Sequence, residues 1–140
     1  MPEEIAEMLR AAGHEVSELE DLESGIANVD IVYSTRLQEE RFASSEEADL
    51  YRGRFRLNQQ VYTRNCDPNT VIMHPLPRDS REPARELDDD LNDNPNLAIF
   101  RQTDNGVVVR MALFALVLDV ADKVDAHAQD VRWHVRRLDP

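Results

Sequence analysis

Cysteine is nearly absent from this sequence, whose single thiol belongs to Cys66. One cysteine cannot form an intramolecular disulfide, so we expect a protein of the reducing cytoplasm. A long apolar run is also missing. The longest, residues 107–118, is interrupted by Arg110 and falls short of the roughly 20 residues that a membrane-spanning helix needs. The first ten residues are acidic, where a secretory signal peptide would be basic, so neither secretion nor membrane insertion is expected.

Positive charge is scarce as well. The chain carries 16 basic against 28 acidic residues, a formal net charge of −12. A surface of that sign repels phosphate backbones and anionic lipids, so neither nucleic acid nor a membrane is expected as a partner. Hydrophobic residues nevertheless make up 41% of the 140 residues and charged residues 31%. This composition is typical of a globular protein that can bury a single core.

Apolar periodicity and capping residues predict helices that alternate with strands. Helices are predicted over residues 3–12, 21–28 and 44–53 and from Val107 onward, and strands over residues 29–33 and 70–73, with a weaker one at 14–18. The acidic residues 87–94 are expected to form a solvated loop. Strands that alternate with helices imply a parallel sheet. The predicted fold is therefore α/β, an incomplete three-layer, Rossmann-like parallel sheet of about three strands flanked by helices, with a long apolar C-terminal helix.

The predicted C-terminal helix is apolar around nearly its whole circumference between residues 107 and 118. Such a helix needs cover on more than one side, and a sheet of about three strands provides little. We therefore expect a homo-oligomer, or contact between this helix and a partner subunit.

Two polar segments each follow directly after a predicted strand. The first contains Arg36 and Gln38, and the second is the His-Pro-Leu-Pro-Arg sequence of residues 74–78. In open α/β sheets, loops at the carboxyl ends of the strands border the ligand crevice, so both segments are expected to open onto one cleft. Arg36 could bind a carboxylate or phosphate, and Gln38 can donate or accept hydrogen bonds. Pro75 and Pro77 lack N–H donors but leave carbonyl oxygens for an ammonium or amide group.

This pattern suits an amino-acid ligand, with its carboxylate on arginine and its nitrogen on carbonyl oxygens. The alternative is that Arg36 is a surface ion-pair partner and that residues 74–78 form only a rigid turn. The spacing of the residues does not decide between these two interpretations.

Three motifs in order resemble the C-terminal, aspartate-binding half of aspartate carbamoyltransferase. They are TRLQEERF at 35–42, MHPLPR at 73–78 and FRQTDNGVVVRMALFALVL at 100–118. The likeness covers residues 1–118 as a partial aspartate-binding domain and leaves 119–140 as a C-terminal helical extension without an assigned role. Related ornithine enzymes have cysteine in a His-Cys-Leu-Pro turn, where this chain has Pro75, and this difference favours aspartate.

The resemblance implies transfer of a carbamoyl group from carbamoyl phosphate to the amine of L-aspartate, in pyrimidine biosynthesis, without metal or cofactor. The substrate's amine is then the nucleophile, so no catalytic residue is expected in this chain. By likeness, Arg36 binds an aspartate carboxylate with Gln38 beside it, while the backbone of Pro75, Leu76 and Pro77 holds the carbamoyl group and the amine. The Leu76–Pro77 bond is expected to be cis, as in the family. His74 is expected to be structural.

The sequence also departs from that family. It lacks the carbamoyl-phosphate-binding half with its Ser-Thr-Arg-Thr loop, the first two strands of the aspartate half and a second aspartate-binding arginine, and residues 79–82 differ from the usual Val-Asx-Glu-Ile. Three hypotheses follow. The chain is an enzyme portion that is inactive without its missing half, a truncated non-catalytic relative serving amino-acid binding or assembly, or part of a carbamoyltransferase for another amino acid.

Overall fold

The computed structural model describes residues 2–127, which divide into two compact units, one ending at Thr103 and one starting at Asp104. In chain order the first unit contains α1 (Glu3–Ala11), α2 (Leu22–Gly25), β1 (Ile31–Tyr33), α3 (Ser45–Asp49), α4 (Gln59–Asn65) and β2 (Val71–Met73). Helix α5 (Ile99–Val117) begins in the first unit and continues into the second, which also contains α6 (Val124–His127). Most of the predicted 119–140 extension, from 128 onward, lies outside the described residues.

Short polar side chains begin three of the helices by accepting a hydrogen bond from the first turn. Asp21 accepts from the Ser24 amide at 2.8 Å before α2, and Ser44 accepts from the Glu47 amide at 3.2 Å before α3, as the sequence predicts. Asn58 does the same for α4. Helix α4 is missing from the sequence-based prediction, which also places the ends of α2 and α3 several residues too late.

The sheet is smaller than predicted. Strands β1 and β2 pair in parallel, with Val32 opposite Ile72. On the other edge of β2 the only partner among the described residues is Leu97, which forms an isolated bridge to Ile72. The predicted strand at 14–18 is wrong, because these residues have no regular structure. The α/β class and the parallel pairing are confirmed, but the expected sheet of about three strands is corrected to two strands and one bridging residue.

The core of the first unit lies between the sheet and the segments that follow it. Its fully buried members include Leu57, Ile72, Leu87, Leu91 and Ile99. Two of them, Leu87 and Leu91, belong to the acidic segment that the sequence predicts to be a solvated loop. That prediction is wrong because Leu87 and Leu91, separated by three aspartates, are buried, and residues Asp89–Asp93 form a 3-10 helix.

Helix α5 begins at Ile99 and not at Val107. Glycine is less favourable than alanine inside a helix by about 1 kcal/mol. Because of Gly106, the sequence between residues 99 and 106 therefore does not predict a helix. The complete burial of Ile99 favours the helix there. The apolar side chains of residues 107–118 are largely exposed. Among residues 2–127, no helix is long and apolar enough to span a membrane.

A pair of glycine substitutions tests the packing after α3. Gly53 has φ +70°, and a Cβ there would lie 2.7 Å from the Pro83 carbonyl oxygen, whereas Gly13 has φ +89° with open space around it. We expect Gly13→Ala to lower the free energy of unfolding by about 1–2 kcal/mol through backbone strain alone. Gly53→Ala should cost clearly more, because the clash adds to the strain. Urea denaturation of both variants measures the difference, and equal losses would contradict the Gly53–Pro83 contact.

Candidate functional site

The two predicted ligand loops start side by side. Because β1 and β2 are parallel neighbours, both loops leave the sheet at its carboxyl edge, and the Ser34 amide donates to the Met73 carbonyl at 2.9 Å. The expectation that both polar segments follow parallel strands is confirmed, and the structure adds that the two strands are neighbours. This edge is where open α/β sheets place their ligands.

The first loop borders an open cavity of about 830 Å³. Arg36, Gln38 and Arg41 line it, together with β1, residues of α2 and the buried residue Glu86. The Arg36 side chain is exposed, and among residues 2–127 no carboxylate lies within ion-pairing distance of it. The interpretation of Arg36 as a surface ion-pair partner is therefore not supported within the described residues. Its guanidinium is available to an anionic ligand.

The second loop forms the expected turn. The Leu76–Pro77 peptide bond is cis, as the sequence resemblance predicts, and Leu76 has φ +55°. Leu76 and Pro77 line a second cavity of about 580 Å³ with Arg78, Arg85 and other residues, whereas exposed Pro75 lines neither cavity. The structure thus places the arginine loop and the proline turn at one edge of the sheet but on the walls of different cavities. The expectation of one shared cleft is not met by these cavity walls.

An ion-pair network joins the two loops beyond their starting points. Arg81 contacts Asp79 at 2.6 Å and Glu39 at 2.9 Å, and Arg52 contacts Glu39 at 2.8 Å. The hydrogen bonds and charge of Arg81, helped by the charge of Arg36, lower the pKa of Asp79 to about 2. Sequence reasoning missed these residues. The only signal was that residues 79–82 depart from the usual family sequence.

His74 is buried and both of its ring nitrogens have protein partners. Nδ1 accepts from the Leu76 amide at 2.9 Å, and Nε2 lies 2.8 Å from a Glu86 oxygen. Burial lowers the pKa of His74, against the opposing effect of Glu86. Both ring nitrogens are thus held by protein groups in a buried position, which agrees with the structural role expected from the sequence.

Gln102 connects the ends of both strands. Its side-chain oxygen accepts from the His74 amide at 3.0 Å, and its amide group donates to the Tyr33 hydroxyl at 2.8 Å.

Among residues 2–127, no group of three potential metal ligands is close enough to hold a metal ion. Arg36 offers a cation and the proline turn offers backbone acceptors, which are groups suited to binding and orienting a ligand.

Comparison with known proteins gives a consistent result. The family model described as aspartate/ornithine carbamoyltransferase, Asp/Orn binding domain, matches residues 1–117. The catalytic subunit of aspartate carbamoyltransferase from Saccharophagus degradans is 70% identical over 137 residues, which cover 98% of this chain and 41% of that protein. The corresponding subunit from Cellvibrio japonicus is 72% identical over 95% of this chain and 39% of its own length. The chain therefore spans about 40% of these relatives.

Solved structures agree. The catalytic subunit of aspartate transcarbamoylase from M. Jannaschii superimposes with a TM-score of 0.67 and 32% identity, over 85% of this chain and 37% of that one. The Trypanosoma cruzi aspartate transcarbamoylase in complex with aspartate and phosphate gives a TM-score of 0.63 and 27% identity, over 81% and 33% of the two chains.

The family model ends before residue 119, but the 137-residue match to the Saccharophagus protein includes most of residues 119–140. The extension is thus shared with that relative.

The Asp79–Arg81 pair gives a pH prediction. The pKa of Asp79 is about 2 in the folded chain, against about 3.9 in an unfolded one, so the pair stabilises the fold above the unfolded value and loses this effect as the pH falls towards 2. Arg81→Gln should raise the Asp79 pKa towards the unfolded value, because it removes the largest cause of the shift. The carboxyl ¹³C chemical shift of Asp79 across a pH series measures this.

The matched control is Arg85→Gln, because Arg85 pairs with Glu82 and Asp89 and not with Asp79. This variant should leave the Asp79 titration in place. An unchanged Asp79 pKa in Arg81→Gln would contradict the assigned network.

Proposed function

Because the chain belongs to the aspartate/ornithine carbamoyltransferase family, through its aspartate/ornithine-binding domain, we propose that it is the aspartate-binding portion of an aspartate carbamoyltransferase. The complete enzyme would convert carbamoyl phosphate and L-aspartate into N-carbamoyl-L-aspartate and phosphate, in pyrimidine biosynthesis. This chain would bind aspartate, and turnover would require the carbamoyl-phosphate-binding half, since the chain spans only about 40% of its relatives. Cytoplasmic location remains a prediction of the sequence.

Arg36 carries this proposal. Its exposed guanidinium lines the 830 Å³ cavity without an ion-pair partner among the described residues. An unpaired guanidinium beside a cavity favours a carboxylate ligand, because its planar fork can donate two parallel hydrogen bonds. Gln38 and Arg41 border the same cavity. We assign an aspartate carboxylate to Arg36 and a further polar contact to Gln38.

The proline turn would bind the reacting groups. Pro75 and Pro77 have no amide hydrogen, and the Leu76 amide already donates to His74, so this turn offers a ligand carbonyl oxygens and no free donors. Carbonyl oxygens bind an amine or a carbamoyl NH₂ group. This assignment requires one ligand to contact the Arg36 cavity and the turn together.

The reaction itself needs orientation more than reactive side chains. The aspartate nitrogen attacks the carbonyl carbon of carbamoyl phosphate, a C–N bond forms, and the C–O bond to phosphate breaks. Phosphate leaves with the bonding electrons, and the nitrogen loses a proton to the departing phosphate or to water. Holding two reactants in the correct geometry supplies a large part of such a rate enhancement. This is consistent with a chain that contributes no catalytic acid, base or nucleophile.

The choice of aspartate over ornithine is supported by two observations. The turn has Pro75 at the position where the related ornithine enzymes have cysteine. The relatives from Saccharophagus degradans and Cellvibrio japonicus are both catalytic subunits of aspartate carbamoyltransferase.

A second candidate is a non-catalytic relative that binds an amino acid or serves assembly. The observation in its favour is that Arg36 and the Leu76–Pro77 turn line different cavities. Calorimetric titration with aspartate, alone and with the carbamoyl-phosphate-binding half of a relative added, separates the two. Formation of carbamoyl aspartate on mixing supports the enzyme portion, and its absence at saturating ligand supports the non-catalytic relative.

Arg36→Ala should weaken aspartate binding by about 10- to 100-fold, the loss expected for a charge-assisted hydrogen bond worth about 1.5–3 kcal/mol. Arg36→Lys should recover only part of the affinity, because an ammonium group cannot reproduce the fork. Isothermal titration of the chain with the added half gives both affinities.

The control variant is Arg64→Ala, since Arg64 is also exposed and without an ion pair among the described residues but lies on α4, away from the cavity. It should leave the affinity unchanged. Aspartate affinity that survives Arg36→Ala would show that the pocket is assigned incorrectly.

We also propose that the chain self-associates through the exposed apolar residues of α5. Phe114 is 67% exposed and Val117 80% exposed, and in a solution of this chain alone a second copy provides the apolar surface to cover them. Sedimentation should give a mass above the 16.1 kDa of one chain. Phe114→Glu should shift the distribution towards monomer, whereas Leu50→Glu, at another exposed apolar position, should not. A stable monomer of the unmodified chain contradicts the proposal.

A further inference from the structure

The carboxyl group of Glu86 contacts both ends of the proline turn. One of its oxygens lies 2.8 Å from His74 Nε2, and both accept from the Asp79 amide at 3.1 and 3.3 Å. His74 Nδ1 in turn accepts from the Leu76 amide at 2.9 Å. One carboxylate is therefore hydrogen-bonded directly to the residue after the turn and, through the imidazole, to the residue in the middle of it.

These contacts fix the proton positions on His74. A backbone amide can only donate, so Nδ1 must be the unprotonated nitrogen, and Nε2 must carry the hydrogen that Glu86 accepts. The pair is deeply buried, with His74 at 1% and Glu86 at 6% exposure. A buried carboxylate requires donors, and the His74 ring and the Asp79 amide provide them.

Glu86 is itself held by the core. Its carbonyl accepts from the Leu57 amide at 2.8 Å, and its chain neighbour Leu87 is fully buried. Glu86 also lines the Arg36 cavity. A fixed main chain on one side and the turn on the other make this side chain a rigid support between the two proposed ligand-binding walls.

We propose that Glu86 is a positioning residue, which sets the orientation of the Pro75–Pro77 carbonyl oxygens by fixing the His74 tautomer and the Leu76 and Asp79 amides. This inference rests on the proposed function, because it concerns the carbonyls assigned to the substrate. The Glu86 carboxylate is engaged by His74 and the Asp79 amide, so in this proposal it acts through His74 and the backbone of the turn.

Two substitutions distinguish orientation from bulk stability. Glu86→Ala removes the acceptor, so His74 can carry its hydrogen on Nδ1, where it opposes the Leu76 amide. Glu86→Gln keeps one acceptor oxygen, and in the native pair a single oxygen accepts from both His74 and Asp79. The matched control is Glu82→Ala, because Glu82 is an exposed glutamate of the same segment that pairs with Arg56.

The first readout needs no ligand. ¹⁵N NMR of the full chain at neutral pH should show His74 protonated at Nε2 only. Hydrogen exchange of the Leu76 and Asp79 amides should speed up about tenfold or more in Glu86→Ala, while the Ile72 amide, which bonds to the Asn96 carbonyl in the sheet, changes much less. Glu86→Gln and Glu82→Ala should both keep the native pattern.

The second readout is aspartate affinity with the carbamoyl-phosphate-binding half added. Displacement of the carbonyls should weaken binding about tenfold or more in Glu86→Ala, and Glu86→Gln should restore most of it. Failure of the unmodified chain to bind aspartate would overturn the proposed function, while the exchange data would still decide whether Glu86 orients the turn.

The positioning role is wrong under any of three results. One is a wild-type His74 protonated at Nδ1 or at both nitrogens, which can be seen even if Glu86→Ala fails to fold. Another is that Glu86→Ala accelerates hydrogen exchange of the Leu76 and Ile72 amides equally, which indicates a general loss of stability. The third is exchange at Leu76 and Asp79 that is unchanged by Glu86→Ala.

Discussion

The parallel pairing of β1 with β2 is the interaction on which the candidate site depends. Each strand has only three residues, and the pair would be weak by itself. It persists because Ile72 is completely buried and because β2 is hydrogen-bonded on both edges. Val71 and Met73 bond to Asp30 and Ser34 on the β1 side, and Ile72 bonds to Asn96 and Ala98 on the other. Both ligand loops start from this pair, so their relative position is set by the core.

Charge is distributed unevenly around the two loops. The chain has a net charge of −12, yet three acidic groups beside the loops are already engaged: Glu39 and Asp79 with arginines, and Glu86 with His74 and the Asp79 amide. Arg36 has no such partner among residues 2–127. An acidic protein can therefore keep the Arg36 guanidinium out of ion pairs among the described residues, because these three carboxylates are held by other donors.

Local signals in the sequence predicted local structure well. The side chains of Asp21 and Ser44 begin helices as expected, and the β-branched runs at 29–33 and 70–73 contain the two strands. The errors arose where distant contacts decide the structure. Leu87 and Leu91 are buried by partners far away in sequence, so an aspartate-rich segment that reads as a solvated loop belongs to the core. The same holds for α5, whose first turn depends on the burial of Ile99.

The motif residues of the candidate site could be identified from the sequence, but their supports could not. Arg36, Gln38 and residues 75–77 stand directly after strands, where a polar or proline-rich segment is conspicuous. Glu86 lies 12 residues from His74, and Arg81 lies 42 residues from Glu39, and no periodicity relates such pairs. Hydrogen-bond geometry between distant segments follows from the fold as a whole, so it becomes visible only in coordinates.

This division between motif and support has a chemical reason. If the substrate's own amine is the nucleophile, the protein needs no reactive group, and the histidine of the turn can be buried with both ring nitrogens engaged. What such a site must supply is the placement of one cation and a few carbonyl oxygens to within a fraction of an ångström. Placement is a property of the supporting hydrogen bonds. The residues on which the proposed chemistry depends therefore include buried ones, such as Glu86, that support the turn through hydrogen bonds.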